Sequence, residues 1–145
     1  MARDLSLALH VLTARLDRMG DRLLRREHDI SYHRFLALVF VGELGAATQR
    51  ALADQLGVTE PSVSRMTAVL AADGLLNVEP DPAGGNRRRL SLTDKGERLV
   101  TSVRHDFEDR LAGFVEQSGV PYAQYAEHTR RLLSALDRIE QERAR

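Results

Sequence analysis

Four residues in one short stretch, Thr59, Ser62, Ser64 and Arg65, offer hydroxyl and guanidinium groups of the kind that hydrogen-bond to base edges and phosphate oxygens. An arginine so placed can engage two acceptors of a guanine, worth about 1–3 kcal/mol of discrimination. A second group, Arg87, Arg88 and Arg89, follows the Gly84-Gly85 pair. Alternation along a strand sends Arg87 and Arg89 to one face and Arg88 to the other, so at least one projects from the end of the strand. Flexible basic fingers of this type reach a narrow minor groove, whose negative potential attracts arginine, and Arg87 and Arg88 are the expected contacts. The alternative for both groups is a solvated surface in an arginine-biased chain, since Lys95 is the one lysine among 21 basic residues.

Other chemistry finds little support. His10, His28, His33, His105 and His128 form no HExxH and no close pair at metal-ligand spacing, and His105-Asp106 with Glu108 and Asp109 reads as a solvated helix face. There is no Gly-rich phosphate loop and no GxSxG elbow. Without cysteine the chain cannot carry a disulfide, a thiolate metal site or a cysteine nucleophile. No catalysis, metal or cofactor is therefore expected. Net charge is zero, and Thr48 to Lys95 holds six basic and six acidic residues, so affinity for a polyanion depends on where the charge sits.

The elements that position these groups follow from periodicity. Leu5, Leu9, Leu12, Leu16, Met19 and Leu23 make one stripe of a helix from about residue 4 to 27, with arginines interleaved with Asp17, Asp21 and Glu27 elsewhere on it. Ser31 caps a second helix through Phe35, Leu36, Val39 and Phe40, apolar on most faces and so expected to be buried. In QRALADQLGVTEPSVSRMTAVL, Gln49 to Leu70, Leu52, Leu56, Val58, Val63 and Met66 are apolar where two short crossing helices touch, and Ala53 is small where they pass closest. Gly57 suits a left-handed turn, Thr59 caps the second helix, and Pro61 lies in its first turn. A helical hairpin buried in a core shows the same leucine spacing. The outward Ser62, Ser64 and Arg65 separate the two readings. LLNVEP and RRLSL, joined by DPAGGN, form a hairpin. Thr93 caps a helix carrying Leu99, Val103, Phe107, Leu111 and Phe114; Gly119 and Pro121 end it and open the last, through Tyr122, Tyr125, Leu132, Leu133, Leu136 and Ile139.

The stretch LADQLGVTEPSVSRMTAVLAADGLL, Leu52 to Leu76, followed by the hairpin and LSLTDKG, Leu90 to Gly96, resembles the MarR family of bacterial transcription regulators. Gly74-Leu75-Leu76 and Leu92-Thr93-Asp94-Lys95-Gly96 match the phrases that join recognition helix to wing and wing to the next helix. The resemblance implies a mostly α fold with a small β-hairpin: a winged helix-turn-helix flanked by N- and C-terminal dimerisation helices. It further implies a homodimer on a roughly palindromic site in double-stranded DNA. Ligands of the family are small, often phenolic or anionic, and Tyr32 and His33 resemble positions lining their cleft. One departure stands out: the family's wing usually has an acidic residue bracing its arginine, whereas Gly84-Gly85-Asn86 precedes Arg87 here, leaving the brace absent or assigned to Asn86.

With 145 residues, 43% hydrophobic and 29% charged, one folded domain is expected, 31–96 forming the DNA-binding module and 1–28 with 97–145 the dimerisation region. No segment approaches the roughly 20 apolar residues of a membrane span, and MARDLSLALH lacks signal-peptide features, which points to the cytoplasm. A winged helix used only to hold a protein partner is the alternative function.

Overall fold

The computed structural model describes residues 4–45, 47–85 and 87–145. In chain order the elements are α1 (Leu5–His28), α2 (Tyr32–Leu44), β1 (Ala47–Thr48), α3 (Gln49–Leu56), α4 (Glu60–Ala72), β2 (Leu76–Pro80), β3 (Arg88–Leu92), α5 (Asp94–Gln117) and α6 (Tyr122–Arg143). They pack as two compact units, the first running to Val103 and the second from Arg104 to Arg145. This is the mostly helical winged architecture that the sequence predicts. No helix among the described residues is long and apolar enough to cross a membrane.

Local chemistry explains most helix starts. Ser31 Oγ accepts the Arg34 N–H at 3.2 Å, Thr48 Oγ1 the Ala51 N–H at 3.1 Å, and Thr59 Oγ1 the Ser62 N–H at 3.3 Å. Each satisfies one amide that the helix itself leaves unpaired. Gly57 closes α3 at φ 65°, a conformation costly for a residue with a Cβ.

The sheet departs from the expected two-stranded hairpin. β1 adds a third strand in the order β1-β3-β2, with Ala47 opposite Leu90 and Thr48 opposite Arg89. β3 is thus the central strand, held on its other side by β2 with Leu76 opposite Leu92 and Pro80 opposite Arg88. Two residues are too few to show alternation, so β1 leaves no pattern in the sequence.

The core of the first unit centres on α2, whose Phe35, Ala37, Leu38 and Val41 are buried, while Leu36, Val39 and Phe40 are half-buried. Around them lie Leu24, Leu52, Ala53, Val63, Leu70, Leu75, Leu76 and Leu90. On α1 the wholly buried residue is Leu24, which lies off the predicted stripe; Leu5, Leu9 and Met19 of that stripe are exposed. One polar side chain, Thr67, is buried among these: its hydroxyl accepts from Gln49 Nε2 and donates to the Ser64 carbonyl, both at 3.1 Å. This ties the start of α3 to the middle of α4.

Candidate nucleic-acid interface

The helix pair α3–α4 turns on Gly57, after which the Val58 N–H donates back to the Ala53 carbonyl at 3.1 Å. α4 then presents two faces. Val63, Thr67 and Leu70 point into the core, and Pro61, Ser64, Arg65 and Ala68 are exposed. Their spacing of three, one and three residues keeps the exposed set on one side of the helix. Ser64 and Arg65 therefore stand on a shared outer face as expected. Pro61 and Ala68 belong to that face too, and helical spacing from Ser64 was the signal that would have found them. Small apolar groups beside hydroxyl and guanidinium donors suit a groove carrying thymine methyls and base acceptors.

Thr59 and Ser62 occupy a different position. Thr59 Oγ1 caps α4 and donates to Ser62 Oγ at 3.0 Å, and Arg65 Nη2 donates to the same Ser62 Oγ at 3.4 Å. The run from Thr59 to Arg65 is thus a hydrogen-bonded ladder along the first turns of α4. Thr59 is engaged in the fold, and Ser62, half-buried, orients Arg65.

In the hairpin, Asp81 organises the turn: its N–H donates to the Arg87 carbonyl at 2.9 Å, its carbonyl accepts the Gly84 N–H at 3.1 Å and its carboxylate accepts the Ala83 N–H at 3.0 Å. Gly84 and Gly85 follow at φ 91° and 77°. Arg87, Arg88 and Arg89 are all exposed, and among the described residues no hydrogen bond or ion pair engages their guanidinium groups. They are available to an external anion. The proposed brace at Asn86 lies outside the described residues.

Tyr32 and His33 open α2 but face different surroundings. Tyr32 is half-buried, and its N–H donates to Asp21 Oδ1 at 2.9 Å. Burial, and then the neighbouring Asp17 charge, raise the phenol above its ordinary pKa. His33 is exposed. A shallow, open depression of about 490 Å³ lies along the first turns of α5, lined by Asp94, Glu97, Arg98, Thr101 and Ser102, and includes neither residue. Asp21, taking the Tyr32 N–H and the Arg25 guanidinium, is held below the ordinary value of 3.8. A depressed carboxylate stabilises the fold above its unfolded pKa and loses that contribution as pH falls through the folded one. Asp21→Asn is expected to flatten the acid limb of stability below about pH 4, which urea midpoints across pH would show.

Comparison with known proteins places the geometry in context. Residues 28–86 match the model of the MarR family. An uncharacterised HTH-type transcriptional regulator of Mycobacterium leprae is 34% identical over 111 residues, covering 77% of this chain and 74% of that protein. A second, from Mycobacterium bovis, is 32% identical over 112 residues, covering 77% and 75%. Among solved structures, a MepR–DNA complex of Staphylococcus aureus has a TM-score of 0.71 at 20% identity, covering 92% of this chain and 96% of that one. FabT of Streptococcus pneumoniae, in complex with DNA, has a TM-score of 0.74 at 16% identity, covering 97% and 99%.

Proposed function

This chain belongs to the MarR family of transcription regulators, and from that premise we propose that it is a sequence-specific double-stranded DNA-binding repressor, acting as a homodimer on a pseudo-palindromic operator. The observation that carries the reading is the pairing, in one compact unit, of an exposed small-and-arginine face on α4 with three unengaged arginines on the hairpin. α4 is the element for the major groove, where Ser64 and Arg65 read bases and Thr59 and Ser62 hold them in place. Arg87 and Arg88 are the minor-groove contacts, with Arg89 beside them. MepR and FabT, whose fold the chain shares, were solved with DNA.

Residues 31–96 form the DNA-binding module in this reading, and 1–28 with 97–145 the dimerisation region. A small phenolic or anionic ligand at Tyr32 and His33 releases the operator. Burial and the neighbouring Asp17 charge keep the Tyr32 phenol protonated and able to donate to such a ligand, so Tyr32 is the residue to which induction should be sensitive.

Selection from random duplexes with the purified protein tests the proposal. Two half-sites about one helical turn apart, roughly 34 Å, are expected. No enrichment even in dilute buffer would refute it. Arg65→Ala is expected to relax preference at one base of each half-site by about 1–3 kcal/mol, read by repeating the selection; an unchanged profile removes Arg65 from the base readers. Arg87→Ala or Arg88→Ala should weaken binding and, by removing a positive charge held between the phosphate strands of the minor groove, make the dependence of log K on log salt shallower by about one unit. A winged helix that held only a protein partner would show no such dependence.

A further inference from the structure

Where α4 ends, three consecutive backbone carbonyls meet donors from the segment that opens α5. Lys95 Nζ donates to the Asp73 carbonyl at 2.8 Å, and Thr93 Oγ1 donates to the Gly74 carbonyl at 2.6 Å. The Thr93 N–H donates to the Leu75 carbonyl at 3.2 Å. Thr93 Oγ1 also accepts the Gly96 N–H at 3.0 Å, so one hydroxyl joins the turn after α4 to the first turn of α5. Gly96 is buried, and a Cβ there would lie 2.2 Å from the Leu75 carbonyl oxygen. The backbones therefore touch at a distance only glycine permits. Gly74, at φ 73°, makes the turn itself, with the Leu75 N–H returning to the Leu70 carbonyl at 3.0 Å.

The last carbonyls of a helix lack intrahelical partners and carry partial negative charge, so an ammonium donating there is favourable. A compact ammonium on a flexible stem can aim one donor at one carbonyl, whereas the planar fork of arginine suits paired acceptors. In a chain whose other basic residues are all arginine, the one lysine stands at this carbonyl.

From these contacts we infer that Thr93, Lys95 and Gly96 form a latch fixing the end of α4 to the start of α5, and that Lys95 is a positioning residue for the DNA-reading helix. Any displacement of the first turns of α5 is then carried to Ser64 and Arg65 instead of being absorbed at the joint. The functional half of this inference rests on the DNA-binding reading above. The mechanical half does not.

Because the chain has no cysteine, Ala68→Cys on α4 and Thr101→Cys on α5, both at exposed positions of the first unit, define a single spin-label pair in the full chain. The latched protein is expected to give one narrow distance distribution. Lys95→Met, which keeps the stem, and Thr93→Val should each broaden it about twofold, and Thr93→Ser, which keeps the hydroxyl, should restore it. A distribution unchanged in both disabling variants overturns the latch. In unlabelled protein, Lys95→Met is expected to weaken binding to the selected duplex about tenfold with the salt slope unchanged, because no phosphate contact is lost. A slope shallower by about one unit would identify Lys95 as a phosphate contact and overturn its positioning role. If the parent protein bound no duplex, the DNA reading would fall while the distance measurement still decided the latch.

Discussion

Glutamate at both Leu133 and Leu136 is expected to leave the chain a monomer in sedimentation at micromolar concentration and to weaken its hold on a two-half-site duplex by about 100-fold or more. α6 contains no buried residue, and its Leu132, Leu133, Leu136 and Ile139 are 63, 57, 54 and 45% exposed. Spaced at 132, 133, 136 and 139, they share one side of the helix. Leu5, Leu9 and Met19 are likewise exposed on α1. Exposed apolar stripes of this kind mark surfaces that a partner covers, and a second copy is the partner that the proposed two-fold operator requires. Once one module of a dimer is bound, the second binds at a high effective concentration, which a monomer forfeits. Since both leucines are solvent-facing in the single chain, helix content should be retained, and circular dichroism checks this. A variant that still sedimented as a dimer would remove α6 from the interface. A monomer of undiminished affinity would show instead that each module binds alone.

What could be read in the sequence was what local residue types encode. Gly57 in its left-handed turn, the Thr59 cap, Pro61 at the start of α4 and the bounds of the hairpin each depend on a few neighbouring residues. The features missed depend on residues far apart. β1 is strand only because Ala47 and Thr48 meet Leu90 and Arg89, and Thr67 is tolerated in the core because Gln49 reaches it. LSLTDKG could be read only as a family phrase, since its hydrogen bonds cross 19 and 22 residues to carbonyls that carry no side-chain signature. On α1 periodicity found an apolar stripe but not its partner. Leu24, off that stripe, is the residue that enters the chain's own core. On α4 the outward Ser64 and Arg65 were legible from type, whereas the engagement of Thr59 and Ser62 within the helix follows from hydroxyl geometry that sequence leaves open.

Leu90→Ala is expected to lower the unfolding free energy by about 2–5 kcal/mol, a large part of the roughly 5–15 kcal/mol that holds a domain folded. Leu90 is wholly buried at the middle of the central strand, opposite Ala47 on one side and Val78 on the other. Its neighbours Arg89 and Ser91 face solvent, and Leu92, two residues on, packs so closely on α2 that a Cβ on Gly42 would lie 3.0 Å from its Cδ1. Truncation leaves a cavity between strands and helix that these contacts prevent from closing, so the loss exceeds the transfer term alone. The urea midpoint should fall at unchanged slope, and Arg88→Ala, at an exposed site of the same strand, should stay within about 0.5 kcal/mol of the parent. Because Leu90 anchors the strand that carries Arg88 and Arg89, trypsin should also cut after Arg87 or Arg88 faster in the variant under conditions where both proteins remain folded. A loss below about 1 kcal/mol would mean that the site collapses around the smaller side chain, and that β1 and β2 hold the wing in place without it.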